Sequence, residues 1–431
     1  MKLILASWIS WCSVQLATAA NLKCGYWTCP ETHGGLVNLH LVPYWRLESV
    51  GSPELDATAG ASISAVINEL APDSPRRFSL DQVAYLARWW EDQNVSSRTR
   101  LRRLVDSGRL EPVGGSWAQG DEATPHYSAL LDALTVGLRW LQESLGECAR
   151  PRVGWQSDTR GHSIEWASML AQAGLQGVFL AALPENLTHF VWKADLGLGD
   201  AGEIFGASTQ SGWPEGFCFD VDCPGDKITV ANGMAKARNF IRHYTSKPRR
   251  TNQVLVPLGG DYQSASYSFH TIDNLIRYVN AKHRDLPKAR AFYSTPSCFL
   301  RALLETNESW EEVDEDLFPY AERGRNSTDV AFWTGYFSGQ PDLKKTLRRA
   351  NGVLQACKQL SVLGSVYSND VRALQEAVAF GQHHEIITYV SSSNPFEAVG
   401  SPRRTAEFKA TAFTSGEPGP RKRFIITVRF C

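Results

Sequence analysis

Asp158 occupies a position in the sequence that can carry chemistry. The short apolar run from Arg152 to Trp155 predicts a strand, and Ser163 can cap a helix that follows over residues 164–174. Asp158 is therefore expected in the turn between the carboxyl end of a strand and a helix, where α/β proteins keep their active sites. The alternative is that its carboxylate only satisfies backbone N–H groups of the turn.

Asp261 repeats this arrangement later in the chain. The buried run from Val254 to Leu258 predicts a strand, and it leads into Gly259-Gly260-Asp261. Two carboxylates at the same end of one sheet suit a glycosidase, in which one attacks the anomeric carbon and the other protonates the leaving oxygen. The residues alone leave two interpretations open, a carboxylate-pair enzyme and two structural loop aspartates, since aspartates are common in the loops at sheet ends.

The adjacent histidines His383 and His384 form a third candidate group. They end a helix predicted from about Val371, on which adjacent side chains point about 100° apart, so that only one histidine can face inward. Ala377, Gly381 and His384 share a stripe, which predicts that His384 is the buried one. It is either a zinc ligand or a hydrogen-bonded core residue.

The alternation of strands and helices predicts an α/β fold with a mostly parallel sheet. Thr124 and Pro125 are expected to start a long helix, and the residues 184–230, rich in Gly, Pro and Asp, to form loops around the active end. After Phe337 only helices are predicted, the first of them beginning at Pro341.

Composition and the N-terminus restrict the partners and the compartment. The net charge of -1 gives no reason to expect nucleic acid or an anionic membrane as partner. Residues 1–20 have the charged start, apolar core and Ala17-Thr18-Ala19 cleavage site of a secretory signal peptide, and no other segment is expected to span a membrane. The mature chain is expected in the secretory pathway, in the lysosome or outside the cell.

Sequons and cysteines agree with that compartment. Glycosylation is predicted at four asparagines: Asn94, Asn186, Asn307 and Asn326. Cysteine pairs such as Cys24 with Cys29 and Cys218 with Cys223 could be metal ligands, but their spacing favours disulfides.

Several segments match one known family in its own order. They are Cys24-Gly25-Tyr26, Leu39 to Pro43, Pro75 to Phe78, Ala87 to Trp90, Gly108 to Glu111, Asp121-Glu122-Ala123 with His126-Tyr127, Pro151 to Val153 with Trp155, Asp158 and Gly161-His162-Ser163, Gly260-Asp261-Tyr262, Tyr293 to Pro296, Phe318-Pro319-Tyr320, Phe332 to Phe337 and Gln382-His383-His384. Over roughly residues 22–388 the chain thereby resembles glycoside hydrolase family 38, the class II α-mannosidases.

The resemblance implies a domain organisation and an activity. We expect an α/β, barrel-like catalytic domain over residues 21–325, a helical-bundle segment over 326–390 that completes the active site, and a divergent, poorly ordered tail over 391–431. The family's later β-rich domains are expected to be absent. The implied activity is retaining, zinc-dependent hydrolysis of terminal α-linked mannose in N-glycans and other mannose-containing oligosaccharides. Nothing in the sequence predicts the oligomeric state.

The resemblance also assigns roles to single residues. Asp158 would be the nucleophile and a zinc ligand, Asp261 the general acid/base, and His384 a second zinc ligand. Substrate-binding roles are implied for Trp333, Tyr336 and Glu385, and disulfides for Cys29–Cys298 and Cys218–Cys223. In the family, a His and an Asp after the first strand provide the remaining zinc ligands.

The chain departs from the family pattern at the metal site. The family's His-rich motif is replaced by Tyr44 to Ser49, where Glu48 is the only carboxylate that could substitute. The loss of two ligands should weaken zinc binding strongly. Thr159-Arg160 replaces Pro-Phe after the nucleophile, which predicts a cation beside it, and Glu385 replaces a shorter Asp.

These departures leave alternatives to an active mannosidase. One is a catalytically inactive glycan-binding homologue that kept the pocket and lost the metal ligands. A second is an error in the gene model at residues 44–60 and 391–431, where the likeness breaks off. A zinc-dependent deacetylase on the same fold is disfavoured by the ordered matches.

Overall fold

The structure is a computed structural model that describes residues 24–25, 28–45, 53–184, 186–209, 213–219, 227–246, 249–283, 285–323, 330–364 and 369–388. The strands are β1 (Val37–Trp45), β2 (Phe78–Leu80), β3 (Leu110–Pro112), β4 (Val153–Gln156), β5 (Gly177–Leu180), β6 (His189–Lys193), β7 (Glu203–Ser208), β8 (Gln253–Gly260), β9 (Ala289–Tyr293), β10 (Glu311–Val313), β11 (Ala321–Arg323) and β12 (Val330–Phe332). The α-helices are α1 (Pro53–Glu69), α2 (Val83–Glu91), α3 (Val95–Asp106), α4 (Tyr127–Leu145), α5 (Ile164–Gln172), α6 (Gly233–Thr245), α7 (Ala265–Val279), α8 (Pro296–Leu304), α9 (Gly335–Ser338), α10 (Pro341–Gly364), α11 (Asn369–Gly381) and α12 (His384–Thr388).

Two five-stranded sheets form the centre of the molecule. In the first sheet β1 lies between β2 and β8, β3 follows β2, and β9 also pairs with β1. The second sheet has the order β10-β6-β7-β5-β4. Every pairing in the two sheets is parallel except that of β6 with β7. The predicted α/β fold with a mostly parallel sheet is confirmed, although the described strands form no closed barrel.

The two sheets share one apolar core and meet at one edge. Side chains from β1, β4, β5, β7, β8 and α8 gather in a single buried cluster, and Trp155, Phe179 and Phe299 are among them. Beside β3, the Gly114 N–H donates to the Val153 carbonyl of β4 at 2.9 Å. The prediction that the strands before Asp158 and Asp261 belong to one sheet is wrong, because β4 and β8 lie in different sheets. A strand's own pattern predicts that it pairs but does not predict with which strand.

The interpretation of residues 184–230 as loops is also wrong in part. These residues contain β6 and β7, which form the antiparallel pair of the second sheet. In β6 the side chains of Phe190 and Trp192 are buried and alternate with half-buried ones. The period-2 signal is short and is surrounded by glycines and prolines, so composition obscured it.

The helices after residue 330 pack on α4. The Asp132 carboxylate of α4 accepts hydrogen bonds from Lys358 and, at 2.6 Å, from the Gln355 amide of α10. Pro341 begins α10 as predicted. The N-cap of α4 is His126 rather than Thr124, because Thr124 instead donates its N–H and hydroxyl to Asp121.

Disulfides join the N-terminal segment to the α/β body. Cys24 pairs with Cys148, and Cys29 pairs with Cys298 as the family resemblance implies. Cys218 is also disulfide-bonded, but its expected partner Cys223 lies outside the described residues. The signal segment, Glu48, Asn326 and the tail lie outside them too. Among the helices described, none combines the length and the apolar character needed to cross a bilayer.

Candidate active site

Asp158 lies just beyond β4 in the turn that leads to α5, as the sequence predicts. The Ser157 hydroxyl donates to its carboxylate at 3.0 Å, and the side chain is half-buried. Gly161 has a φ of +89°, and a Cβ there would approach the Phe318 ring to 2.4 Å, so only glycine fits. The turn is therefore tightly packed, while the carboxylate keeps part of its surface exposed.

A buried pair, Glu122 with His162, fixes this turn. Glu122 accepts from the Ser163 N–H at 2.7 Å, and its other oxygen lies 2.8 Å from Nδ1 of His162. Nε2 of His162 donates to the carbonyl of Ala181 at 2.5 Å. The pair connects the turn after β4 to the end of β5 and to the loop after β3. Residue patterns did not single it out, although both residues belong to the motifs matched above.

Asp81 is a buried carboxyl that residue patterns also missed. It directly follows β2, and the Gln119 amide donates to it at 2.8 Å and to the Trp155 carbonyl at 3.1 Å. Burial raises the pKa of the Asp81 carboxyl to about 7, and the negative charge of Asp158 contributes to this rise. A second carboxyl, mostly protonated in acid, thus lies near the predicted nucleophile.

His384 reaches the site because the segment after α11 docks on the loop that follows β3. Asp121 donates its N–H to the Gln382 carbonyl at 3.0 Å, and His384 donates its own N–H to the Gln119 carbonyl at 3.1 Å. Nδ1 of His384 lies 3.0 Å from the same carbonyl. A carbonyl only accepts, so Nδ1 carries the proton and Nε2 presents a lone pair.

The prediction that only one of the two histidines is buried is wrong. His383 is fully buried and His384 is 9 % exposed. The helix ends at Gly381 and α12 starts at His384, so the 100° rule of a continuous helix does not apply between them. Burial lowers the pKa of both imidazoles, and for His384 the nearby Asp158 partly opposes this effect. Nε2 of His383 has no hydrogen-bond partner in the part of the chain that the structure describes.

Arg160, Trp333 and Tyr336 form one wall of the site. The Arg160 guanidinium lies over the Trp333 ring at 5.3 Å and donates to the Asp158 carbonyl at 2.6 Å. The Tyr336 hydroxyl donates to the carbonyl of Arg160 at 2.7 Å. The cation expected beside the nucleophile is therefore present, and it covers an aromatic ring expected to bind substrate.

Asp261 lies beyond the end of β8, in the other sheet. Its carboxylate accepts from the N–H and the side-chain amide of Gln263, each at 2.9 Å. Tyr44 of β1 connects this end to β4: it pairs with Gly259 and packs its ring 5.0 Å from that of Trp155. The carboxyl ends of β1, β4 and β8 therefore meet at one side of the molecule.

The residues present do not fit the metal site that the resemblance implies. In the described ranges, no three His, Cys, Asp or Glu side chains come together as a metal site requires. Tyr44 and Trp45 are buried aromatic side chains where the family's motif begins, and the sequence has no His from residue 41 to residue 125. Of the ligands that the resemblance implies, the described residues include Asp158 and His384, two fewer than a closed tetrahedral zinc site needs, and Glu48 lies outside them.

The other predicted site residues are placed as follows. Glu385 is half-buried in the first turn of α12, and its N–H donates to Nδ1 of His383 at 3.2 Å. The predicted glycosylation sites Asn94, Asn186 and Asn307 are exposed, which is compatible with the prediction but does not test it.

Comparison with known proteins identifies relatives along most of the chain. Residues 39–323 match the glycosyl hydrolases family 38 N-terminal domain, and residues 331–402 match the alpha mannosidase middle domain. The chain is 35% identical over 418 residues to the lysosomal alpha-mannosidase of Homo sapiens and 32% identical over 400 residues to an alpha-mannosidase of Arabidopsis thaliana. These alignments cover 87% and 84% of this chain, but only 41% and 38% of the relatives.

Solved structures support the fold. The crystal structure of an alpha-mannosidase from Enterococcus faecalis V583 matches with a TM-score of 0.58 at 16% identity, over 81% of this chain and 39% of that one. The chain spans about two fifths of the length of the curated relatives above. Since the N-terminal domain match alone covers more than half of the sequence, the chain belongs to glycosyl hydrolase family 38.

Proposed function

We propose that this protein is a glycoside hydrolase that removes terminal α-linked mannose from oligosaccharides, N-glycans included. The observation that carries the proposal is that Asp158 and Asp261 follow the carboxyl ends of β4 and β8, which meet at one side of the molecule through Tyr44. Family membership supports the reaction class. The disulfides support an oxidising compartment such as the secretory pathway or the lysosome.

In this proposal the two carboxyls divide the work of a retaining mechanism. Asp158 attacks the anomeric carbon and forms a glycosyl ester, while Asp261 gives its proton to the leaving oxygen. Asp261 then removes a proton from water, which displaces Asp158 and restores both groups. Asp158 is half-buried, so part of its surface is open to an incoming sugar. The Glu122–His162 pair fixes the turn that carries Asp158, so less conformational freedom is lost when the substrate binds.

The neighbouring side chains would hold the sugar. Trp333 offers an aromatic face, and Tyr336 and Arg160 form a connected wall beside it. The Nε2 lone pair of His384 can accept a hydrogen bond from a sugar hydroxyl, since burial lowers the pKa of this imidazole and thereby favours its neutral form. The steps above use side chains alone, and in the described part of the chain no three His, Cys, Asp or Glu side chains come together as a metal site requires.

The roles of the two carboxyls are separable by the leaving group. Asp158→Asn should abolish hydrolysis of both 2,4-dinitrophenyl and methyl α-mannoside, because every substrate needs the nucleophile. Asp261→Asn should retain most of kcat/KM on the dinitrophenyl substrate, because kcat/KM reports the first step and this leaving group needs no proton, and should lose about 10²–10⁴-fold in kcat/KM on the methyl one. Equal losses on both substrates in Asp261→Asn would contradict its assignment.

A second candidate is a glycan-binding protein without turnover. It is favoured by one observation: Arg160 covers the Trp333 ring, so the cation could obstruct the position of the scissile sugar. Under this alternative, wild-type protein binds mannosides but releases no product, and Asp158→Asn does not change binding. Measurable turnover by the wild type would exclude it.

A further inference from the structure

Arg160 is held in place from three directions. Its Nη1 donates to the Asp158 carbonyl at 2.6 Å, its guanidinium carbon lies 5.3 Å from the centre of the Trp333 ring, and its carbonyl accepts from the Tyr336 hydroxyl at 2.7 Å. These contacts fix both ends of the residue. The cation is therefore a preorganised part of the site and not a mobile surface charge.

The guanidinium still has hydrogen-bonding capacity toward a ligand. Apart from the bond to the Asp158 carbonyl, its N–H groups have no hydrogen-bond acceptor among the described residues, and the side chain is half-buried. Its charge is also close enough to His384 to contribute to the lowered pKa of that imidazole. A planar guanidinium can donate to two neighbouring hydroxyl oxygens at once, as adjacent hydroxyls of a sugar present them.

Among the described residues, the side chains around this cation do not form a group of three or more metal ligands. Asp121 accepts two hydrogen bonds from Thr124, and Asp81 accepts one from Gln119. Each of these carboxyls already accepts from a protein donor, and of the ligands that the resemblance implies the described residues include Asp158 and His384. A divalent ion held by those two would also stand beside the positive charge of Arg160, which disfavours it by Coulomb repulsion.

We propose that Arg160 supplies the positive charge and the sugar-hydroxyl donors of this site, and that mannosides bind here without a divalent metal. The inference rests on the proposed function, because both refer to the same site. It adds how the mannoside is bound and leaves the reaction unchanged. The sugar would lie with adjacent hydroxyls on the guanidinium edge and an apolar face near Trp333.

Zinc titration tests the metal-free claim without using activity. Metal-stripped wild-type protein is titrated with zinc chloride by calorimetry, and the metal content of the purified protein is measured. We expect no stoichiometric zinc and no binding at about micromolar zinc. One tightly bound zinc per chain, lost in His384→Ala, would overturn the proposal. The wild-type titration decides this even if a variant fails to fold.

Mannoside binding tests the role of Arg160. In an Asp158→Asn background, which prevents turnover, 4-nitrophenyl α-mannoside is titrated in the presence of EDTA. Arg160→Met should weaken binding by about tenfold or more, since a hydrogen bond to a charged group is lost, whereas Arg139→Met, an exposed change on α4, should leave it unchanged. Near-ultraviolet circular dichroism checks that each variant is folded.

The outcomes separate the two proposals. Mannoside binding that disappears in EDTA and returns with zinc would overturn the metal-free inference and leave the proposed function standing. Absence of mannoside binding both with EDTA and with zinc would count against the proposed function, and the zinc titration would still decide the metal question.

Discussion

At the scale of single residues, the site differs from a simple carboxylate pair by the buried acid Asp81. Its carboxyl is buried beside Gln119, and burial raises its pKa to about 7. The folded protein therefore holds a proton there that the unfolded chain releases at lower pH. The site should for this reason tolerate acidic conditions better than neutral ones.

Asp81→Asn should remove this pH dependence. Because the folded-state pKa is raised, the stability contributed by Asp81 is full below about pH 4 and is lost as the pH rises through about 7. At pH 8 the variant should be more stable than wild type by roughly 1–3 kcal/mol, and the advantage should shrink at pH 5. Urea unfolding at the two pH values measures it.

Asp314→Asn, an exposed change, serves as the matched control and should show no such difference between the two pH values. An Asp81→Asn advantage that is the same at pH 5 and pH 8 would contradict the assigned protonation. Asp81 is also a case where sequence patterns were insufficient. A single Asp after a three-residue strand gives no periodic signal. Its raised pKa arises from burial in the folded chain and from the charge of Asp158, which is distant in sequence, while the Gln119 hydrogen bond partly opposes the rise.

At the scale of elements, one lysine joins the helices after residue 335 to the wall of the site. Lys344 of α10 donates to the carbonyls of Tyr336, Gly339 and Ile387, the last of them in α12. This ammonium joins the wall around Tyr336 to the helix that begins with His384. Burial lowers the pKa of Lys344, because the charged ammonium loses contact with water. The three carbonyls stabilise the charge and offset part of this loss.

Lys344→Met should loosen that connection. The loss of the charged donor leaves three carbonyls without it, and we expect a destabilisation of about 1–3 kcal/mol. Hydrogen exchange should rise in residues 384–388, and mannoside binding should weaken. Lys345→Met, the exposed neighbour, should change neither. Equal exchange in both variants would show that α12 is held by other contacts.

The elements also show what sequence could and could not predict. The strands before Asp158 and Asp261 and the start of α10 at Pro341 follow from local pattern, so they were predicted. The assignment of β4 and β8 to two sheets depends on pairings between distant segments. The burial of both His383 and His384 depends on the helix break at Gly381, which packs against Leu347. Local sequence pattern alone therefore predicts neither the division of β4 and β8 between two sheets nor the burial of both histidines.

At the scale of the whole molecule, the two disulfides whose cysteines are both described restrain the unfolded chain over long loops. Cys24–Cys148 closes a separation of 124 residues and Cys29–Cys298 one of 269. Both attach the segment before β1, so the sheets and the N-terminal segment should unfold together. Residues 28–45 thereby stay next to α8 and the body that carries the site.

Removing each disulfide by paired Cys→Ser changes should lower the free energy of unfolding by roughly 2–5 kcal/mol, with the longer loop costing about 0.7 kcal/mol more because the loop entropy grows only as the logarithm of length. Urea unfolding of the two double variants measures both values. A loss for Cys24–Cys148 far above that for Cys29–Cys298 would indicate native packing, not chain entropy, as the main effect.

We propose that Asp158 makes this protein a working α-mannosidase. The most direct measurement is release of 4-nitrophenol from 4-nitrophenyl α-mannoside between acidic and neutral pH, with wild type, Asp158→Asn and the exposed control Asp314→Asn side by side in EDTA. We predict turnover by the wild type and the control, and a loss of at least about 10³-fold in kcat/KM for Asp158→Asn. No turnover by folded wild-type protein, or turnover that Asp158→Asn retains, would contradict the account.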